Sequence, residues 1–436
     1  MNKQKQQFIF MIMLALLGLR KDVSAQDDYV GHYLEYKNKI YNEQIKSCRI
    51  YPANLEASFP LIRLGEEQKL VLEFDWLNNA RQTFFYSIQH CSSNWEPTNI
   101  SPSDYIDGYR EEEISDAVGS YNTIISYYHY KLVFPTDVMK ITRSGNYIIK
   151  VFDPANPDSP YITRRFHVLD EKIGVTANTH PATINEFRFY KQEVDFAIFN
   201  PEYEIPDPYG KLKVVVMQND RWDNAITDLK PAFVKPSELV YDEDEKNVFN
   251  GGRDFRQFDL KNLVQTQMNK INYVEVDSIK QTHVYLLTEQ KRTFLRYTLE
   301  RDMNGRYYPS CRACNNPDTD AEYLWVHFFL ESAEPVENGD VYVWGGFSDF
   351  QCLPENKMVY NPNLPGYVGK TLLKQGYYNY EYVFKKNGSQ VVDDFQFEGS
   401  RTETENEYCI LIYHEPIGSF HEQLIGYGRF GSNNSR

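Results

Sequence analysis

After Gly376 the chain places Tyr378, Tyr380, Tyr382 and Phe384 at every second position. A period of two puts all four rings on one face of a β-strand and is incompatible with one face of a helix. Residues 70–76 follow the same rule, with Leu70, Leu72, Phe74 and Trp76 on one side. Further strands are read at 83–88, 147–152, 161–169, 212–217, 283–287, 324–330, 341–344 and 408–413. Nowhere does the chain carry a long amphipathic helical pattern, a heptad run or a short-period repeat. Aromatics make up 15% of the residues, 34 of them Tyr, a composition suited to half-buried pleated surfaces. The fold class expected is all-β. At 436 residues the chain exceeds one ordinary core, so several β-sandwiches are expected.

Residues 1–25 read as a signal peptide. Lys3 and Lys5 form the basic start, 8–17 is an apolar run, and Val23-Ser24-Ala25 fits a cleavage site with Gln26 as first mature residue. The run is too short to span a bilayer, and no Cys stands at the cleavage point to accept a lipid. Residues 26–170 are expected to form an N-terminal Ig-like sandwich, closed by a turn at Ser144-Gly145-Asn146 and the strands that follow. Residues 171–318 form a middle β-rich domain with a long polar centre, 319–428 a C-terminal Ig-like domain, and 429–436 a disordered tail.

Removing residues 1–25 takes away four bases and one acid, leaving 60 acids against 42 bases and a net charge of −18. Such a surface repels phosphate backbones and anionic headgroups, so neither nucleic-acid binding nor direct membrane insertion is expected. No nucleophile elbow, phosphate-binding loop or dinucleotide fingerprint is present. His414-Glu415-Pro416 begins like a zincin helix, but position 418 is Gly and Pro416 breaks the helix that would align two imidazoles. Carboxylates are abundant, yet spacing nominates no catalytic pair. The acidic run Asp242-Glu243-Asp244-Glu245 lacks the alternating ligands of a calcium loop and reads as solvated. No enzyme activity, cofactor or metal is expected. Six Cys, at 48, 91, 311, 314, 352 and 409, allow 15 pairings in an oxidising compartment. Cys311 and Cys314 form the only CxxC; with no second CxxC for zinc and no strand-to-helix redox context, they read as a local disulfide or free thiols.

The block from His90-Cys91 through Trp95, Pro97, Thr98, Ile100 and Asp104-Tyr105 to Gly108 resembles a signature of the type IX secretion system plug family of Bacteroidota. Here Thr98, Ile100 and Asp104 replace the usual Ser, Leu and Glu. Three more blocks agree in order: Ser144-Gly145-Asn146-Tyr147; Asn247 to Gly252 leading to Phe255 and Asp259; and Glu405-Asn406-Glu407-Tyr408 running to Gly426-Tyr427. Together they span nearly the whole mature chain; Cys311 and Cys314 stand outside them. The resemblance implies a non-enzymatic periplasmic protein. Its partner would be the very large outer-membrane translocon β-barrel, whose periplasmic mouth it closes when no substrate passes.

Within these blocks Trp95, Tyr105, Tyr109, Gly251, Gly252 and Phe255 are the candidate partner-binding residues. Trp95 would either anchor a partner or cap the first sandwich. The third unit also resembles early-set Ig-like domains related to glycogen-binding modules. Its turn, with Trp344, Phe347 and Phe350, offers the alternative of a carbohydrate-binding or surface-glycan accessory protein. Phe350 stands near the position of the sugar-stacking Trp in those modules, where Phe is the poorer platform.

Overall fold

The computed structural model describes residues 34–264 and 266–432. The expected signal peptide and residues 433–436 lie outside that range. Three β-sandwiches account for nearly all of it; the α-helices, Pro102–Tyr105, Pro317–Asp320 and Phe395–Glu398, are single turns. Among the described residues no helix is long and apolar enough to cross a membrane.

In the first sandwich one sheet has the order Lys39–Ile40, Asn156–Leu169, Gly145–Asp153, Phe85–Cys91, Glu111–Glu113, with Leu61–Arg63 parallel to Asn156–Leu169. The facing sheet runs Ile45–Pro52, Leu70–Trp76, Tyr128–Phe134, Ala117–Gly119. Leu70, Leu72, Phe74 and Trp76 all enter the core between them, as the alternation requires. The other face of that strand carries Glu73 and Asp75, and both are buried as well.

The second sandwich does not follow the expected boundary. One sheet, Gly174–Pro181, Lys191–Phe199, Glu238–Tyr241, Phe233–Lys235, comes from the middle of the chain. The other sets Leu212–Gln218 beside Glu407–His414 and Gln423–Gly431, so the C-terminal strands return to the middle domain. The reason is in Glu407–His414, whose residues are buried on both faces apart from Glu407. Tyr408, Ile410 and Ile412 pack toward the sheet containing Val194 and Phe196. Cys409, Leu411 and Tyr413 pack the other way, with Phe59 and Leu169 of the first sandwich. A strand apolar on both faces must lie between two layers. Gln423–Gly431 also corrects the expected tail: residues 429–431 belong to the ladder, and Arg429 donates to Glu407 at 2.7 Å and to Asp220 at 3.1 Å.

The third sandwich is a nine-stranded sheet folded onto itself. Its path is Arg256–Asp259, Gly376–Lys386, Gly339–Trp344, Lys357–Asn361, Gly366–Lys374, Tyr323–Glu331, Thr282–Leu286, Ile271–Val276, with Tyr307–Pro309 paired to Gly376–Lys386. Phe328, on one arm, meets Phe258 and Tyr380 of the other at centroid distances of 5.7 and 5.3 Å. Tyr378, Tyr380 and Tyr382 are buried in this core, and Phe384 packs against it. Four strands from the expected middle domain thus belong here, and the hydrogen-bonded ladders cross the expected division at 318/319.

Candidate functional site

The conspicuous sequence blocks meet in pairs at the joints between sandwiches. After strand Phe85–Cys91 the chain reverses at Trp95, whose φ of 63° lies in the left-handed region. This reversal turns the ring inward. Trp95 lies edge-on to Trp222 at 5.1 Å and to His167 at 5.3 Å, with the Arg165 guanidinium 4.3 Å from its centroid. His90 is buried; its Nε2 lies 3.2 Å from the Ser144 carbonyl, which places the proton on that nitrogen, while Nδ1 faces the Thr98 hydroxyl at 2.9 Å. A Cβ on Gly145, at φ 145°, would stand 2.4 Å from His90 Nε2. Asn146 donates to the Ser92 carbonyl at 3.0 Å and accepts from the Tyr413 hydroxyl at 2.7 Å. Ser93 N–H donates to Glu422 at 2.7 Å. The first two blocks therefore interlock and dock on the C-terminal strands.

The other two blocks form a second joint. The Asn406 amide donates to the Gly251 carbonyl at 2.7 Å and to Gln192 Oε1 at 2.9 Å. The Gly252 carbonyl accepts from Arg401 N–H at 2.8 Å and from the Thr404 hydroxyl at 3.0 Å. Gly252 has φ 64°, and a Cβ on Gly251 would lie 2.0 Å from the Arg401 carbonyl oxygen. Backbone meets backbone here, so Gly251→Ala is expected to destabilise by about 1–3 kcal/mol, measured by urea unfolding; an unchanged midpoint would show that the two loops separate without cost. Phe255 is buried next to this joint, and its N–H donates to Asp302.

The turn after strand Gly339–Trp344 is where all three sandwiches touch. Trp344 is fully buried, with Phe350 edge-on at 4.9 Å and Arg221 of the second sandwich 4.3 Å above its ring. Asp349 and Phe350 have φ of 51° and 54°. That backbone lets Asp349 reach the buried Arg164 of the first sandwich at 3.1 Å, while Gln351 donates to the Asn38 carbonyl at 2.6 Å. Burial raises the Asp349 carboxyl, and Arg164 opposes the rise. Phe347 is half-buried, 6.1 Å from the Tyr378 ring. The turn is therefore a structural junction, and Trp344 has no face open to a sugar, while Phe347 and Phe350 are half-buried.

A further junction gave no signal in the sequence. Asp75 of the first sandwich is fully buried and accepts from Lys374 Nζ and the Tyr323 hydroxyl of the third, each at 2.7 Å, and from His129 at 2.8 Å. Burial alone would raise its carboxyl; Lys374, with His129, outweighs that and holds it below the ordinary range. Arg306 and Arg429 converge in the same way on Asp220 and Glu407. Of the six candidate partner residues, Trp95, Tyr105, Gly251 and Phe255 are buried and Gly252 is half-buried; Tyr109 is 67% exposed. Cys311 and Cys314 are disulfide-bonded, with Cα atoms 5.5 Å apart, and the other four cysteines are free.

These features define a rigid all-β scaffold whose polar machinery joins its parts. Residues 45–170 match the family model described as Type 9 secretion system plug protein 1st domain. A crystal structure of a hypothetical protein from Parabacteroides merdae is similar over 91% of this chain and 100% of its own, at 31% identity and TM-score 0.87. Native alpha-2-macroglobulin from Escherichia coli (domains NIE-MG1) aligns with 47% of this chain and 96% of its own at 9% identity and TM-score 0.17. No curated protein matches. The chain belongs to the type 9 secretion system plug protein family, which is a secretion-system family rather than an enzyme class.

Proposed function

We propose that this protein closes the periplasmic mouth of the large outer-membrane translocon barrel of the type IX secretion system when no substrate is passing. The observation that carries the reading is the match of residues 45–170 to the first plug domain. Physical reasoning supports it. A barrel of dozens of strands leaves an aqueous lumen. An obstruction there must not deform; ion pairs at Asp75–Lys374 and Arg164–Asp349 tie the first sandwich to the third, and Arg306 with Asp220 and Glu407 ties the third to the second, so the parts resist shear. Residence in the periplasm belongs to the same proposal. The test uses cells that make the barrel with and without this gene. Uptake of large antibiotics should rise on deletion and return on complementation; unchanged permeability in the deletion strain would refute the reading.

Contact with the barrel is assigned to Tyr109, the one exposed member of the six candidates, which extends from a two-stranded ribbon and hydrogen-bonds to Val138 at 2.7 Å. Of the other five, Tyr105 belongs to the first sandwich's core and Trp95, Gly251, Gly252 and Phe255 lie at or beside the internal joints. Tyr109→Ala is expected to leave unfolding within about 0.5 kcal/mol of wild type and to reduce co-purification of the barrel from envelope extracts. Full co-purification would exclude Tyr109 as an anchor.

A further inference from the structure

Strand Lys191–Phe199 sends Val194, Phe196 and Ile198 into the second sandwich's core. Glu193 and Asp195 therefore stand on the opposite, outer face of the sheet. Glu193 is nonetheless fully buried. One of its oxygens accepts from Thr183 N–H at 2.7 Å; the other, Oε1, is buried with no hydrogen-bond partner. Among the described residues no Lys or Arg forms an ion pair with Glu193, Asp242 or Asp244. A buried carboxylate left in this state is strongly unfavourable unless a positive charge completes it.

The groups around it indicate which charge. Glu193, Asp242 and Asp244 each bring a carboxylate oxygen within 4.8 Å of the others, and on the adjoining side carboxylate oxygens of Glu193 and Asp195 lie within the same distance of an imidazole nitrogen of His180. Asp242 and Asp244 come from the acidic run that spacing alone marks as solvated. The run lacks a ligand pattern of its own, but Glu193 of a neighbouring strand meets it. Asn247 lies alongside, donating to Asp195 Oδ1 at 2.9 Å, and its own Oδ1 is also buried without a partner. His180 Nε2 is engaged with Asp195 Oδ2 at 2.7 Å. The available donors are thus oxygens, which suit a hard cation; zinc sites favour nitrogen and sulfur.

We propose that Glu193, Asp242 and Asp244, with Asp195 and Asn247 beside them, form a calcium site. The site lies on the loop that leads to Gly251 and Gly252. A bound ion would fix that loop where it enters the second joint. The inference is independent of the plugging role.

The test is thermal unfolding and titration calorimetry of the mature full-length protein in EDTA and with CaCl2, MgCl2 or ZnCl2. Calcium should raise the melting temperature saturably, with Kd in about the 0.1–1 mM range of extracellular calcium modules, and magnesium should do less. The double variant D242N/D244N alters only exposed side chains; it should keep the EDTA melt and lose the calcium increment. Glu193→Gln should melt higher than wild type in EDTA, because an unpaired charge is gone, and should also lose the increment. If that variant fails to fold, D242N/D244N decides alone. Absence of a calcium shift in wild type, or a shift that survives D242N/D244N, overturns the proposal. So does tighter zinc binding that is lost in His180→Ala but retained in D242N/D244N.

Discussion

Replacing Lys374 by Met is expected to destabilise the protein by about 3–5 kcal/mol, the range for removing one partner of a buried ion pair. Lys374 is 2% exposed and Asp75 is fully buried. The substitution would strand the Asp75 carboxylate at an interface with only Tyr323 and His129 as polar partners. The companion variant D75N/K374M removes both charges, so it should recover much of the loss. Urea unfolding of the two single variants and the double gives the coupling between the first and third sandwiches. If the single Lys374→Met variant unfolds like wild type, the junction opens to water and contributes no rigidity.

Acid should begin to destabilise the protein from about pH 6.5 downward, before ordinary carboxylates protonate. Burial holds the His90 imidazole at about 4 and His167 at about 3. Both folded values lie below the unfolded value near 6.5. Their contribution is therefore fully present above pH 6.5 and is lost as pH falls through 6.5 toward 4 and 3. Between pH 7 and 4 each histidine accounts for about 3 kcal/mol of that loss. Asp302 acts in the opposite sense: burial pushes its carboxyl up to about 6, so lowering the pH below 6 relieves it, an offset of about 2 kcal/mol. The net loss is on the order of 4 kcal/mol. Glu398 adds a further loss below pH 4.5, because Arg256 and Arg292 overcome burial and hold it at about 2. Urea midpoints measured from pH 7 to pH 4 check the sign; a midpoint that rises with acidity would show that His90 and His167 are open to solvent.

The sequence exposed the strands and hid their partners. Tyr378, Tyr380 and Tyr382 announce a strand and its buried face because alternation is a local property. The same alternation in residues 70–76 marks Glu73 and Asp75 as outward, which is correct for the first sandwich. It cannot show that a second domain covers that face. Residues 408–413 are apolar at every position, which identifies a strand between two layers but does not say which strand lies beside it. Four blocks pointed to the family, yet Trp95 and Gly251 hold internal joints, since an aromatic or a glycine in a loop looks the same whether it faces a partner or another part of the chain. The acidic run at 242–245 reads as solvated in the sequence because Glu193, the buried acid it meets, lies on a different strand.

The pairing of Leu212–Gln218 with Glu407–His414 also governs the order in which the chain can be assembled. Loop closure over so long a span is entropically expensive and makes folding slow. Until the last strands are made, the second sandwich has only Leu212–Gln218 of its second sheet, and the apolar flank of the first at Phe59 and Leu169 lacks Cys409, Leu411, Tyr413 and Leu424. A nascent or truncated chain ending before residue 407 would therefore display two sticky surfaces at once, the hallmark of species that aggregate or are captured by chaperones. The C-terminal strands are thus the part of the chain that covers both surfaces together.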